Sequence, residues 1–178
     1  MRRPLLAAFV VTICALSGVA AYVGARPAAA EWREIAWPFP RDGWPAGRAF
    51  RCSTAVCGGE VELYVRPKIG FCNCDSGVAD DDEVDRVADV DLISAHFQPV
   101  ESGRTIRISG MSGRIRNYDL RTTGGARAAV GIAVSHRCDL MVAAAQGTAA
   151  APVLQRAALD FLGTDAMAGW INAAMQGR

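Results

Sequence analysis

Four cysteines crowd one stretch of the chain, RCSTAVCGGEVELYVRPKIGFCNCDSGVADDDEVDRVADVD, as Cys52, Cys57, Cys72 and Cys74. Thiols so placed support three chemistries: disulfide formation, soft-metal ligation and thiol exchange. Cys138 follows later, and Cys14 lies in an N-terminal apolar segment. Setting Cys14 aside leaves five, an odd number, so one is free, intermolecular or metal-bound. Cys72 and Cys74 are one residue apart, and on a strand both point the same way, where a mutual bond is strained. Each is therefore expected to pair elsewhere: Cys57 with Cys72 or Cys74, and Cys52 with the other of these or with Cys138. In an oxidising compartment this disulfide reading leads.

Metal binding is the alternative. Cys52-x4-Cys57 and Cys72-x-Cys74 offer four thiolates, soft ligands suited to copper(I) or zinc. The spacing departs from a zinc ribbon, which places two residues between paired cysteines. His96 and His136, the two histidines of the chain, are secondary candidates as ligands or bases. Thiol exchange at Cys72-Asn73-Cys74 has less support, since no Cys-x-x-Cys is present. No Gly-x-Ser-x-Gly occurs, and Ser135 beside His136 is adjacency without triad spacing, so acyl transfer is unsupported and no catalytic residue is named. The acids Asp80, Asp81, Asp82, Glu83 and Asp85 lack the alternation and glycine turn of a calcium loop. They read as a helix cap and a solvated face.

The elements around these residues follow from periodicity. Residues 31–48 carry Trp32, Trp37 and Trp44 with Pro38, Pro40 and Pro45, which forbid a continuous helix. They read as an irregular arm whose rings are packing anchors or, alternatively, a surface recognition platform. Ala49–Cys52 is a short strand. Val61, Leu63 and Val65 alternate with Glu60, Glu62 and Tyr64 as a half-buried strand. Arg66-Pro67 reads as a turn and Lys68–Cys74 as the returning strand, so that Glu60–Cys74 makes a hairpin tied by cysteines.

Asp80 and Glu83 have capping-box spacing, and Val84, Val87, Val90, Ile93 and Phe97 mark the buried stripe of one helix that ends before Pro99. Thr105–Ser109, Arg114–Arg121, Val130–Val134 and Leu140–Val142 read as an antiparallel meander. Pro152 opens a helix to Leu162, Gly163 stops it, and Thr164 caps a last helix with Met167, Trp170, Ile171, Ala174 and Met175 on its apolar face. The fold class is α+β: a two-layer domain with an antiparallel sheet, one central helix and two C-terminal helices.

Residues 1–30 read as a leader. Arg2 and Arg3 precede an apolar run from Leu5 to Ala25, and Ala28-Ala29-Ala30 offers a cleavage site, the pattern of a secretory signal peptide. The run of residues 5–25 is also long enough to serve as a signal anchor. Either way residues 31–178 lie outside the cytoplasm, with 49–178 as a single domain. Without the leader, 16 basic side chains face 18 acidic ones, a net of −2. No basic field exists to hold nucleic acid. Lys68 is the single lysine among 19 basic residues, a bias typical of GC-rich bacterial genomes. The expected protein is thus an exported, disulfide-stabilised accessory or binding domain of the bacterial periplasm, cleaved or membrane-anchored, with no cofactor. Its expected partner is another envelope protein or the membrane. The alternative is a periplasmic copper- or zinc-binding protein built on Cys52, Cys57, Cys72 and Cys74.

Overall fold

A computed structural model describes residues 32–70, 74 and 76–176. The expected leader, with its signal peptide or anchor at 5–25 and Cys14, lies outside these residues, as does Cys72. No helix among the described residues is long and apolar enough to cross a membrane.

Eight strands form one antiparallel sheet: β1 Trp32–Ile35, β2 Arg48–Cys52, β3 Val61–Lys68, β4 Phe97–Pro99, β5 Arg104–Ile108, β6 Met111–Thr122, β7 Gly125–His136 and β8 Asp139–Gly147. Their order is β1-β2-β3-β8-β7-β6-β4, with β5 also on β6. The helices are α1 Thr54–Cys57, α2 Asp81–Val87, α3 Val90–Ile93, α4 Ala151–Leu162 and α5 Asp165–Gln176. Strands β5 to β8 are the expected meander, each pairing antiparallel with the next. Helices α4 and α5 also fall where expected. Pro152 sits in the first turn of α4, Gly163 ends it, and the Thr164 hydroxyl accepts from the Met167 amide at 3.5 Å to open α5.

Four expectations are corrected. The hairpin at Arg66-Pro67 does not form, because β3 runs straight through to Lys68 and pairs along its whole length with β8, Pro67 opposite Met141. Proline is tolerated there because β2 stops pairing at Val65, so the missing N–H falls where that neighbour has ended. The arm is not irregular throughout, since Trp32–Ile35 pairs with β2 as an edge strand. The single acidic helix is two short ones. Asp80 caps α2 as expected, accepting from the Glu83 amide at 2.9 Å. At Asp89, however, the backbone turns left-handed, φ 61°, and the hydrophobic spacing continues across the break into α3.

The fourth correction concerns burial. Apolar side chains cover both faces of the sheet, not one. Phe50, Leu63, Val65, Ile132, Val134 and Met141 pack with Leu154, Phe161 and Ile171 of α4 and α5. On the opposite face Tyr118, Leu120, Ala133 and Val142 meet Val84, Val87 and Val90 of α2 and α3. Beside them Tyr64, Ala49 and Ala144 meet Ile35, Trp37 and Phe39 of the N-terminal arm. Gly131 permits the close approach of α2 and α3, because a Cβ there would meet the Tyr118 ring at 2.9 Å and Ala88 at 3.0 Å.

Candidate functional site

The doubly covered sheet makes β3 unusual. Flanked by β2 and β8, it carries Glu62, Tyr64, Arg66 and Lys68 in alternation toward the arm and α2. Central strands covered on both faces are normally apolar throughout, so each of these polar groups requires a partner.

Arg66, 2% exposed, is the centre of the arrangement. Its Nε and Nη2 donate to the two Asp89 carboxylate oxygens at 2.6 and 2.9 Å. Its Nη1 and Nη2 donate to the Asp42 oxygens at 2.8 and 2.6 Å. The guanidinium is thus gripped bidentately on two sides, the strongest geometry available to it. Lys68 Nζ lies 2.6 Å from Asp89 and donates to the Val87 carbonyl at 2.9 Å. Among the described residues, two cations here meet two carboxylates. This network explains the break between α2 and α3, because the left-handed turn at Asp89 delivers its carboxylate to both cations at the end of α2. Burial pulls the Arg66 pKa down, but the bonds and charges of Asp42 and Asp89 outweigh it and hold the group firmly protonated. The Arg66 bonds in turn lower the Asp42 carboxyl to about 2.

The arm roofs this network. The Trp37 ring lies 5.7 Å from the Arg66 guanidinium carbon, and the Trp44 ring 6.0 Å from Lys68 Nζ, both within cation–π range. Trp37 and Phe39 also pack edge-on against Tyr64, at 6.2 and 4.7 Å between centroids. Trp32 lies on the other face, stacked on Phe161 of α4 at 4.7 Å. The three tryptophans therefore do not form one platform: Trp37 and Trp44 share a face, and Trp32 anchors the opposite one.

One step along β3, the Tyr64 hydroxyl donates to Glu62, and Gln146 Nε2 donates to Glu62 and to the Tyr64 oxygen at 3.2 Å each. Arg51 adds two further bonds to Glu62. Burial raises the Glu62 carboxyl, but the bonds from Tyr64, Arg51 and Gln146 more than offset this and its pKa falls below its ordinary value. Burial and the Glu62 carboxylate push the Tyr64 phenol upward.

The acids of α2 are less solvated than their clustering implied. Asp81 accepts from Arg114 at 2.6 and 3.0 Å and from the Gly103 amide at 3.0 Å. Asp85 accepts from Arg116 at 2.8 Å and the Tyr118 hydroxyl at 2.7 Å. They bind the helix to β6 as well as cap it.

Cys52 and Cys57 are joined across α1, and Cys74 is joined to Cys138 in the β7–β8 turn. None of the expected pairings, Cys57 with Cys72 or Cys74 and Cys52 with the other of these or with Cys138, forms, because Cys52 and Cys57 are bonded to each other. The reason is the straight course of β3. Cys52 lies opposite Val61, at the start of the strand, whereas Cys74 follows its far end, where the Gly70 amide donates to Asp139 at 2.6 Å. At about 3.3 Å per residue the two ends of β3 are roughly 23 Å apart. The same separation keeps Cys52 and Cys57 away from Cys74, so these three members of the suggested thiolate cluster do not converge. Among the described residues no three His, Cys, Asp or Glu side chains gather to hold a metal. His96, before β4, and His136, at the end of β7, are both exposed.

A cleft of about 720 Å³ is lined by His96, Phe97, Gln98, Asp119, Arg121 and Arg127 among others. Its two arginines do not converge. Arg121 pairs with Ala126, and Leu120 with Arg127, so alternation directs the two arginines to opposite faces of the β6–β7 ribbon.

No protein-family model matches the chain, and no curated protein is similar to it.

Proposed function

We propose that the chain is an exported, disulfide-stabilised accessory or binding domain that acts without catalysis of its own and without a cofactor. It works in the bacterial periplasm or on the outer side of the inner membrane, against another envelope protein or the membrane. The observation that carries this reading is the pair of disulfides, Cys52–Cys57 and Cys74–Cys138. Such bridges persist in oxidising compartments and are kept reduced in the cytosol. The basic and apolar character of residues 1–30 agrees with export. A binding role is favoured over a chemical one because the buried charges of β3 are matched to one another, as in a structural network, rather than held apart in the manner of acid–base pairs.

A fusion of residues 1–40 to a reporter active only outside the cytoplasm tests the placement. Activity is expected, and a fusion that reports only from the cytoplasm contradicts it. The intact mass of the exported protein then separates cleavage after Ala30 from retention as an anchor.

A further inference from the structure

The network around Arg66 has two carboxylates of different standing. Asp89 is 7% exposed and is fixed between α2 and α3. Asp42 belongs to the arm segment 40–46, which is exposed except at Trp44, and its side chain is 29% exposed. The ends of this segment are firmly seated. Trp37 and Phe39 pack on Tyr64, and a Cβ at Gly47 would lie 2.2 Å from the Val65 carbonyl. Between them the chain turns outward through Gly43, φ 93°, where a Cβ would meet nothing within 4 Å. Asp42 reaches back to Arg66 from this outward loop, steadied by the Trp44 amide donating to its Oδ1 at 3.2 Å.

We propose that Arg66 is a carboxylate-recognition site in which Asp42 is the resident occupant, and that an external carboxylate takes the same place when the 40–46 segment swings away. The site's parts are those such recognition needs. A fixed guanidinium is pre-oriented by Asp89, so one fork of its donors faces the arm in bidentate geometry. Lys68 adds a second cation 2.6 Å from the same Asp89. Trp37, outside the 40–46 segment, supplies an aromatic wall within cation–π range. Removal of Asp42 leaves the outer fork of the buried Arg66 guanidinium without its carboxylate, a place that an anion would fill. As a tethered group Asp42 competes at the effective concentration of a short loop, on the order of millimolar. A free carboxylate therefore enters the intact protein only if it also gains contact with the Trp37 ring. The ligand class this implies is a carboxylate carried next to an aromatic or apolar group, as in an acidic peptide segment. The inference deepens the binding role proposed above.

The test uses the purified exported domain with Asp42→Ala, and Asp42→Asn as a variant that keeps the side-chain volume. Acetate is the probe, with chloride at matched ionic strength as the control. Both variants are expected to melt below the parent, and acetate is expected to raise their melting temperature with saturation at roughly millimolar Kd, the range open to so small a ligand. A hundredfold excess over that Kd should restore roughly 5–10 °C. The parent should respond to acetate no more than to chloride. Adding Arg66→Gln to Asp42→Asn should abolish the rescue. Rescue by chloride equal to that by acetate, or none by either, overturns the proposal. Neither result bears on export or on the disulfides, so failure here is distinguishable from failure of the proposed function.

Discussion

The two faces of the sheet are buried to similar depth by different means. Toward α4 and α5, the strands present Val61, Leu63, Val65, Val130, Ile132 and Val134 to two amphipathic helices, a predominantly apolar contact. Toward the arm, α2 and α3, the same strands present Tyr118, Leu120 and Val142, interrupted by Arg66, Lys68, Asp89 and the Glu62–Tyr64–Gln146 group. The first face draws its stability from area removed from water, which is non-directional and tolerant of exchange among apolar residues. The second depends on matched charges whose geometry admits few substitutes. A long apolar helix can cover the first face. The second is covered by short helices and an arm, so its polar groups serve to position these small pieces.

This difference can be broken most severely from the apolar side. Ile132→Asp, 1% exposed among aliphatic neighbours, should cost more than about 4 kcal/mol and prevent folding of a marginal domain. Circular dichroism of the purified variant reads the outcome. On the polar side, Asp89→Ala should cost about 3–5 kcal/mol in chemical denaturation, because it removes the buried carboxylate that both Arg66 and Lys68 engage. A loss below about 1 kcal/mol would show that the network adds nothing to holding α2 and α3 in place. Asp42→Ala, removing the more exposed of the two carboxylates on the same arginine, 29% against 8%, should cost less, about 2 kcal/mol, because water can reach part of the donors it leaves. Equal losses at Asp42 and Asp89 would erase the distinction between latch and keystone.

The smallest effect is on acid stability. The Asp42 pKa is depressed from 3.8 to about 2 by the Arg66 bonds. A depressed carboxyl stabilises the folded state above its unfolded value and loses that contribution as pH falls through its folded value. The Asp42 contribution is therefore complete above about pH 4 and disappears toward pH 2. The stability of Asp42→Ala should converge on that of the parent across that window, as followed by denaturant midpoints at each pH.

The same contrast decides how much was legible in the sequence. The meander and the α4–α5 pair could be read directly, because alternation such as Val130, Ile132, Val134 and caps such as Gly163 and Thr164 are local signals. The arm side was harder. Period-two alternation in Glu62-Leu63-Tyr64-Val65-Arg66 shows that one face is polar, yet it does not tell whether that face meets solvent or a distant segment. Pro67 reads as a turn when β2 is not known to have ended two residues earlier. Val84, Val87, Val90 and Ile93 keep a helical spacing across the left-handed Asp89, so the break leaves no trace in the hydrophobic pattern. The sequence signal that marks the Arg66 network is Lys68, the single lysine of the chain, two residues from Arg66 on a strand that otherwise belongs in a core. The cysteine pairing failed for the same reason as the hairpin, because both depended on a reversal at Pro67.

That pairing joins fold to function, and peptide mapping under non-reducing conditions tests it most directly. Protein purified without reductant should yield Cys52 linked to Cys57 and Cys74 linked to Cys138. A Cys57–Cys74 link would contradict the straight course of β3. Free thiols at all four positions in freshly exported protein would contradict the disulfide-stabilised domain itself.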